Sequence, residues 1–302
     1  MKRVLLTGAS GFIGRHSIPF LLEKGYEVHA IYHSNLIAQE EIPSVTWHQC
    51  DLLNSEQINN LMGEVKPTHL LHLAWHTVHG ECLTSPKNLE WVNASLGLIA
   101  SFLENGGARP VIAGTCFEYD SRYGYCSEAI TPTRSKSLYG VCKSSLQEIA
   151  SSFFKQAGVI SAWGRIFFVY GPHEDRRRLV PSVITSLLQN QPARCTHGNQ
   201  IRDYLHVEDV ASAFASLLDS NVEGPVNIAS GKPVALKTII YTVADLMGGR
   251  SLVNLGAIPA PTLEPPLIVA NVRKLNELVG WEPRRNLEDG LESTINWWKV
   301  KS

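Results

Sequence analysis

Short runs of consecutive apolar residues alternate along this chain with segments whose apolar positions recur every three or four residues. "RVLLT" (3–7) reads as a strand buried on both faces, and "GFIGRHSIPFLLEKG" as an amphipathic helix closed by Gly25. "EVHAIY" (27–32) and "VTWHQC" follow as strands, then a helix near 55–64 and the strand "HLLHLA" (69–74). A longer helix covers about 86–105, "PVIAG" (110–114) is another strand, and a helix starts near Ser137. "VISAWGRIFFVYG" reads as one more strand. Strand and helix in alternation predict an α/β fold, a doubly wound parallel sheet covered on both faces.

Beyond "YGP" (170–172) the rhythm loosens. Helical stretches (179–190, 208–219, 235–247, 272–279, 287–299) are separated by short extended pieces and by the Pro-rich "IPAPTLEPP". The expected organisation is a sheet domain over 1–170 and a smaller, interleaved lobe over 171–302, with some of its segments returning to the sheet. The length of 302 residues suffices for a substantial core, and 44% hydrophobic with 18% charged residues is a globular composition. A net charge of −1 with scattered Lys and Arg predicts neither a nucleic-acid nor a membrane-surface partner. The apolar run in "MKRVLLTGASGFIG" stops at Thr7 and Gly8, too short for a signal peptide, and no run has the length of a membrane helix. Cys50, Cys82, Cys116, Cys126, Cys142 and Cys195 form no CxxC pair, so free thiols in a cytoplasmic setting are expected.

"TGASGFIG" joins the first strand to the first helix, with Gly8, Gly11 and Gly14 spaced as G-x-x-G-x-x-G. Glycines in that context permit a tight turn and let a pyrophosphate approach backbone N–H groups at a helix N-terminus. The expected architecture is therefore Rossmann-type, with a dinucleotide contacting Gly8, Ser10, Gly11, Phe12, Ile13 and Gly14. A carboxylate at the end of the second strand would bond the ribose of NAD and repel a 2′-phosphate. Here the residues are Tyr32, His33 and Ser34, which predicts NADP(H) in preference to NAD(H), with no arginine to reinforce the choice. Asp51 in "CDLL", followed by Leu52, stands either at the adenine pocket or at a helix N-cap.

"HLLHLAWHTVHG" carries His69, His72, His76 and His79, a series that invites a zinc reading. On a strand, residues three apart point to opposite faces, so His69 and His72 do not share an ion and no metal is expected. The loop after this strand lies at the C-terminal edge of the sheet, where ligands bind. His76, Thr77 and His79 are candidates for substrate contact there.

"SLYGVCK" places Tyr139 four residues before Lys143 on one helix face. Together with "TGASGFIG", "HLAW", "GTCFEYD", "VYGP", "RDYLHVEDV" and "GWEP", in that order, it makes the chain resemble the extended short-chain dehydrogenase/reductase family from Lys2 to about Trp298. Those enzymes use NAD(P) and act on nucleotide sugars. The resemblance implies Tyr139 as the acid–base group, Lys143 as its activator and holder of the nicotinamide ribose, and Thr115 as hydrogen-bond partner of the reacting sugar oxygen. It implies cofactor contacts from Leu73, Ala74, Trp75 and Phe168. Substrate contacts are implied for Cys116, Phe117, Arg178 and Arg202, with Arg202 pairing with the diphosphate. The second arginine that the family often places before "EPP" is replaced by Thr262 and Leu263. Two helices, near 86–105 and from 138, are those the family uses to form a homodimer.

Hexose 4,6-dehydratases of this family follow the catalytic Thr with two proton-carrying residues, whereas Cys116 and Phe117 stand here and Glu118 comes one residue late. Along an extended backbone Glu118 would face away from Phe117's side, so dehydration is not expected. The C-terminal half resembles CDP-abequose synthase-type 4-ketoreductases, which implies reduction of a nucleotide-linked 4-keto-6-deoxyhexose. A nucleotide-sugar 4-epimerase with retained NAD uses the same residues and is the alternative. Regulatory dinucleotide sensors on this fold typically lose the Tyr or the Lys, and this chain keeps both.

Overall fold

The computed structural model describes residues 2–34, 44–260 and 264–301; Thr262 and Leu263 lie outside them. The dominant feature is a seven-stranded sheet in which every pairing is parallel. Its strands are β1 (Arg3–Thr7), β2 (Glu27–Tyr32), β3 (Val45–Gln49), β4 (His69–His72), β5 (Arg109–Thr115), β7 (Ala162–Ile166) and β11 (Gly224–Ile228), in the order β11-β7-β5-β4-β1-β2-β3. The apolar strands are buried on both sides because their alternate residues feed two cores. Val4 and Leu6 join Val28, Leu71 and Phe214 on one face, while Leu5 packs with Ile31, Leu70 and Phe102 on the other. Helix α1 (Phe12–Glu23) covers the first face beside α6 (Val207–Asp219); α2 (Ser55–Val65), α3 (Lys87–Glu104) and α4 (Leu138–Gln156) cover the second.

The segment 159–171, expected as one strand, is two. Strand β7 stays in the large sheet, and β8 (Phe168–Tyr170) pairs instead with β10 (Ile201–His206) of a second sheet. The break at Phe167 occurs where the chain crosses from one layer to the other. That second sheet runs β12 (Pro233–Ala235), β10, β14 (Leu267–Ala270), β6 (Tyr125–Cys126). A separate apolar core joins α5 (Leu179–Leu188), α7 (Leu236–Leu246) and α9 (Leu287–Lys301) through Val183, Ile184, Ile240, Val243 and Leu291. The short pair β9 (Ala193–Cys195) with β13 (Val253–Leu255) and helix α8 (Arg273–Glu277) complete the order.

The chain passes between the layers repeatedly. From the later half α6 packs on α1 and β11 extends the large sheet, while β6 from the earlier half joins the small sheet. Buried acids in "RDYLHVEDV" fasten these crossings. Asp203 accepts hydrogen bonds from the N–H groups of Ser230, Gly231 and Ala270 and from the Ser230 hydroxyl. Asp209 accepts from the N–H groups of Arg284 and Arg285. In this motif, therefore, two of the acids are architectural.

Candidate active site

The glycine turn folds back on itself at the end of β1. Gly8 has φ +68°, and a Cβ there would come 2.9 Å from the Ala74 nitrogen on the neighbouring strand's continuation. A Cβ on Gly14 would collide with the Gly8 carbonyl, so helix and turn are in contact. Gly11 caps α1 with no side-chain hydrogen bond, which leaves N–H groups of the first turn without a side-chain acceptor. Arg15 braces the turn from outside, donating to the carbonyls of Ser10 and Gly11. A bare helix N-terminus behind close-packed glycines fits a pyrophosphate, and Ser10, Phe12 and Ile13 belong to the same turn.

At the end of β2, Tyr32 packs edge-on against Trp47, and His33 and Ser34 are exposed. Asp51 lies beside this strand end, its carboxylate 3.9 Å from the His33 imidazole. It does not cap α2. That role belongs to Asn54, which accepts from the N–H groups of Glu56 and Gln57, while Asp51 accepts from Leu53 N–H. The helix-cap alternative for Asp51 is corrected accordingly. Leu52 is buried in the core behind it.

The histidine series separates. His69 bonds Thr68 and meets the Tyr26 ring, with burial pushing its pKa down to about 4. His72 is enclosed between Thr7 and Ser95, and burial, followed by the Lys143 charge, pushes it down to about 3. Thr7 in turn accepts from the Leu73 and Ala74 N–H groups, fixing the strand end that carries Trp75. No cluster of metal-binding side chains occurs among the described residues. His79 stands apart from both, its pKa lowered by partial burial and then by Arg178.

Thr115, Tyr139 and Lys143 converge at the C-terminal edge of the large sheet. Ser137 caps α4 by accepting from Gly140 N–H, which starts the helix so that Tyr139 and Lys143 sit on its sheet-facing side. The Thr115 hydroxyl bonds the Tyr139 phenol and also accepts weakly from Phe117 N–H at 3.3 Å. Burial raises the Tyr139 pKa, and the Thr115 bond only partly opposes it. Lys143 donates to the Ala113 carbonyl at 2.9 Å, and burial lowers its pKa to about 7 against the pull of Glu118. Its ammonium lies 3.7 Å from the centre of the Trp75 ring.

A run of rings forms one wall of the site. Trp75 meets Tyr139, Tyr139 meets Phe117, and Phe117 meets Phe168, each pair with centroids 6.3–6.4 Å apart. Beyond Phe168 lies the Arg202 guanidinium, 5.3 Å from that ring. Arg202 is buried and already paired, donating at 2.8 Å to Glu264, which also accepts from Gln200. Its sequence-expected diphosphate role therefore requires that Glu264 share it or give way. Among the three arginines of "EDRRRLVP", Arg177 pairs with Asp175, Arg176 lies over the Trp298 ring, and Arg178 precedes α5.

The expectation for Glu118 needs a different reason. The backbone after Thr115 is not extended but turns through a 3-10 helix, Cys116–Glu118. Glu118 is fully buried and accepts from Thr115 N–H, the Trp163 indole N–H at 2.9 Å and Arg165 at 2.6 Å. It is committed to holding β5 against β7. Cys116 is also buried, with its thiol pKa raised by that burial.

A cleft of about 830 Å³ opens next to this site, between the glycine turn at Phe12, the loop from Trp75 to Val78, and residues 173–177. His76 and Thr77 line it. Glu174 lines it too, and sequence reasoning passed it over: a single acid in a loop carries no periodicity to mark it.

The chain belongs to the NAD dependent epimerase/dehydratase family, whose pattern it matches over residues 4–229. It is 26% identical to CDP-abequose synthase of Salmonella typhimurium, over 97% of each chain. It is 25% identical to UDP-glucuronic acid decarboxylase 1 of Danio rerio, over 98% of this chain and 72% of the relative. Among solved structures, the UDP-glucose 4-epimerase of Thermus thermophilus in complex with NAD superposes with a TM-score of 0.87 at 25% identity, covering 99% of this chain and 100% of that one. The fold and class are thus those of the NAD-dependent, nucleotide-sugar epimerase/dehydratase-type enzymes.

Proposed function

We propose that the protein is an NADPH-dependent reductase of a nucleotide-linked 4-keto-6-deoxyhexose. The observation that carries this reading is the end of β2, where Tyr32, His33 and Ser34 set no carboxylate against a 2′-phosphate and so fit a reductant NADPH better than a retained NAD. Reduction of a ketone needs a proton donor at the sugar oxygen, whereas the first step of epimerisation needs a phenolate to accept one. Tyr139, bonded to Thr115 at the edge of the sheet, is placed to give that proton.

When bound, the dinucleotide supplies the hydride. The chain's own residues supply the rest: Thr115 holds the C4 oxygen, Tyr139 protonates it, and Lys143 provides positive charge beside the phenol. The missing carboxylate at Tyr32, His33 and Ser34 supports a cofactor with a 2′-phosphate. The commitment of Glu118 to Arg165 and Trp163 removes the nearest acid from proton transfer at C5 and C6. We infer further that Arg202 meets the diphosphate after Glu264 moves, and that the enzyme works as a dimer.

A 4-epimerase with retained NAD is the second reading, supported by the likeness to the Thermus enzyme. Native mass spectrometry of the purified protein, with a hydride-transfer assay on 4-keto nucleotide sugars, separates the two. NADP or an empty site together with NADPH oxidation is the reductase outcome. Co-purifying NAD and interconversion of 4-epimers without net NADPH use would overturn it.

A further inference from the structure

Phe117 stands between the groups proposed to hold the two ends of the sugar. Its ring centre lies 6.3 Å from that of Tyr139 and 6.3 Å from that of Phe168, and Phe168 leads on to the Arg202 guanidinium. Its backbone is fixed beside the reacting groups. The Phe117 N–H donates to the Thr115 hydroxyl, and a Cβ on Gly140, next to Tyr139, would collide with the Phe117 carbonyl. Cys116 and Glu118 on either side are buried, whereas Phe117 is 37% exposed. The turn after Thr115 therefore presents one large apolar ring beside Tyr139, and no polar side chain.

A nucleotide sugar with C4 at Tyr139 and its C1 diphosphate toward Arg202 lies along Phe117 and Phe168. A pyranose joins C4 to C1 by two edges. One passes through C3 and C2, each bearing a hydroxyl in a hexose. The other passes through C5 and the ring oxygen, and its one carbon substituent is C6. Neither phenyl ring offers a hydrogen bond, so a hydroxyl pressed against them would lose water without gaining a partner. We propose that Phe117 is a specificity-determining residue that packs against the C5–C6 edge of the sugar and selects a methyl group at C6 over a hydroxymethyl. This rests on the reductase reading for the placement of C4 and the diphosphate, and adds the side chain that reads C6.

The size of the selection follows from what each C6 group gives up. A methyl gains by leaving water for contact with a ring, whereas a hydroxymethyl surrenders part of its hydration. A closed apolar pocket rejects an added hydroxyl by about a hundredfold. Phe117 is a single, partly exposed wall, so about tenfold is expected of it.

The test is calorimetric titration of UDP-, dTDP-, CDP- and GDP-glucose, of their 6-deoxyglucose counterparts and of the matching nucleoside diphosphates. None of these has a 4-keto group to be reduced. With the nucleotide that binds best, wild type should hold the 6-deoxy sugar about tenfold more tightly than glucose. Phe117→Ala should bring the two within about twofold by weakening the 6-deoxy sugar, with the nucleoside diphosphate unchanged. Phe117→Leu keeps an apolar wall and should retain most of the preference. No preference in wild type, a preference that survives Phe117→Ala, or equal weakening of sugar nucleotide and diphosphate would overturn the role of Phe117. Each of those outcomes leaves the reductase reading to its own hydride-transfer assay. Wild type that binds no nucleotide sugar would overturn both.

Discussion

The Lys143 ammonium lies over the face of the Trp75 ring, 3.7 Å from its centre, and among the described residues no carboxylate forms a salt bridge with it. Burial lowers its pKa to about 7, the Trp75 face and the Ala113 carbonyl being its close partners. Removing the ring should therefore matter more than its distance from the reacting oxygen suggests. Trp75→Ala is expected to lose about ten- to thirtyfold in turnover, the value of a desolvated cation–π contact. Trp75→Phe should lose less. A thermal melt of both variants separates this from the cavity's effect on stability.

The same lysine sets a pH dependence of folding. Its folded pKa lies below its unfolded value near 10.4, so between about pH 7 and pH 10 the unfolded chain binds more protons. Stability from this group then rises with pH across that window. Lys143→Met should remove the rise, which parallel urea titrations at pH 7 and pH 9.5 would reveal as a smaller difference between the two pH values.

Tyr139→Phe should keep fold and NADPH affinity but lose two to four orders of magnitude in turnover, roughly the worth of general acid catalysis. Single-turnover kinetics with a 4-keto nucleotide sugar is the measurement. Near-wild-type turnover would mean that Thr115 and bound water suffice.

Cofactor preference follows from the β2 end. NADPH should bind more tightly than NADH, and Tyr32→Asp should shift the balance toward NADH by bonding the ribose and repelling the phosphate. Calorimetry with both dinucleotides decides it, and a wild-type preference for NADH would refute the argument.

Glu118 should behave as a structural acid. Glu118→Gln leaves Arg165 charged and buried without its counter-ion, which should cost about 3–5 kcal/mol of stability by urea denaturation. Wild type should produce no dehydrated sugar when UDP-, dTDP-, CDP- or GDP-hexoses are incubated with NAD and weighed by mass spectrometry.

The fold was readable because its strongest signals are local. Two-sided burial of "RVLLT", the glycine turn and the cap at Ser137 each lie within a few consecutive residues. What the sequence hid depends on partners far along the chain. Lys143 meets Trp75, Arg202 meets Glu264, and Glu118 meets Arg165, and none of these separations has a periodic signature. The break of 159–171 into β7 and β8 was hidden for another reason: apolar residues suit both sheets, so only the layer change reveals it. Glu118 was placed by assuming a straight strand, and the 3-10 turn after Thr115 redirected it.

The repeated passage of the chain between the two sheets has a mechanical consequence. Lobes joined by one strand of chain can swing about that joint. Here the connections through Phe167, α6, β11 and β6 sit at separate places and are tied by Asp203 and Asp209. Rotation about any one of them would tear the others, so the halves behave as one braced frame. Access to Tyr139 must then come from small shifts of side chains, such as Glu264 turning away from Arg202, rather than from a jaw that opens.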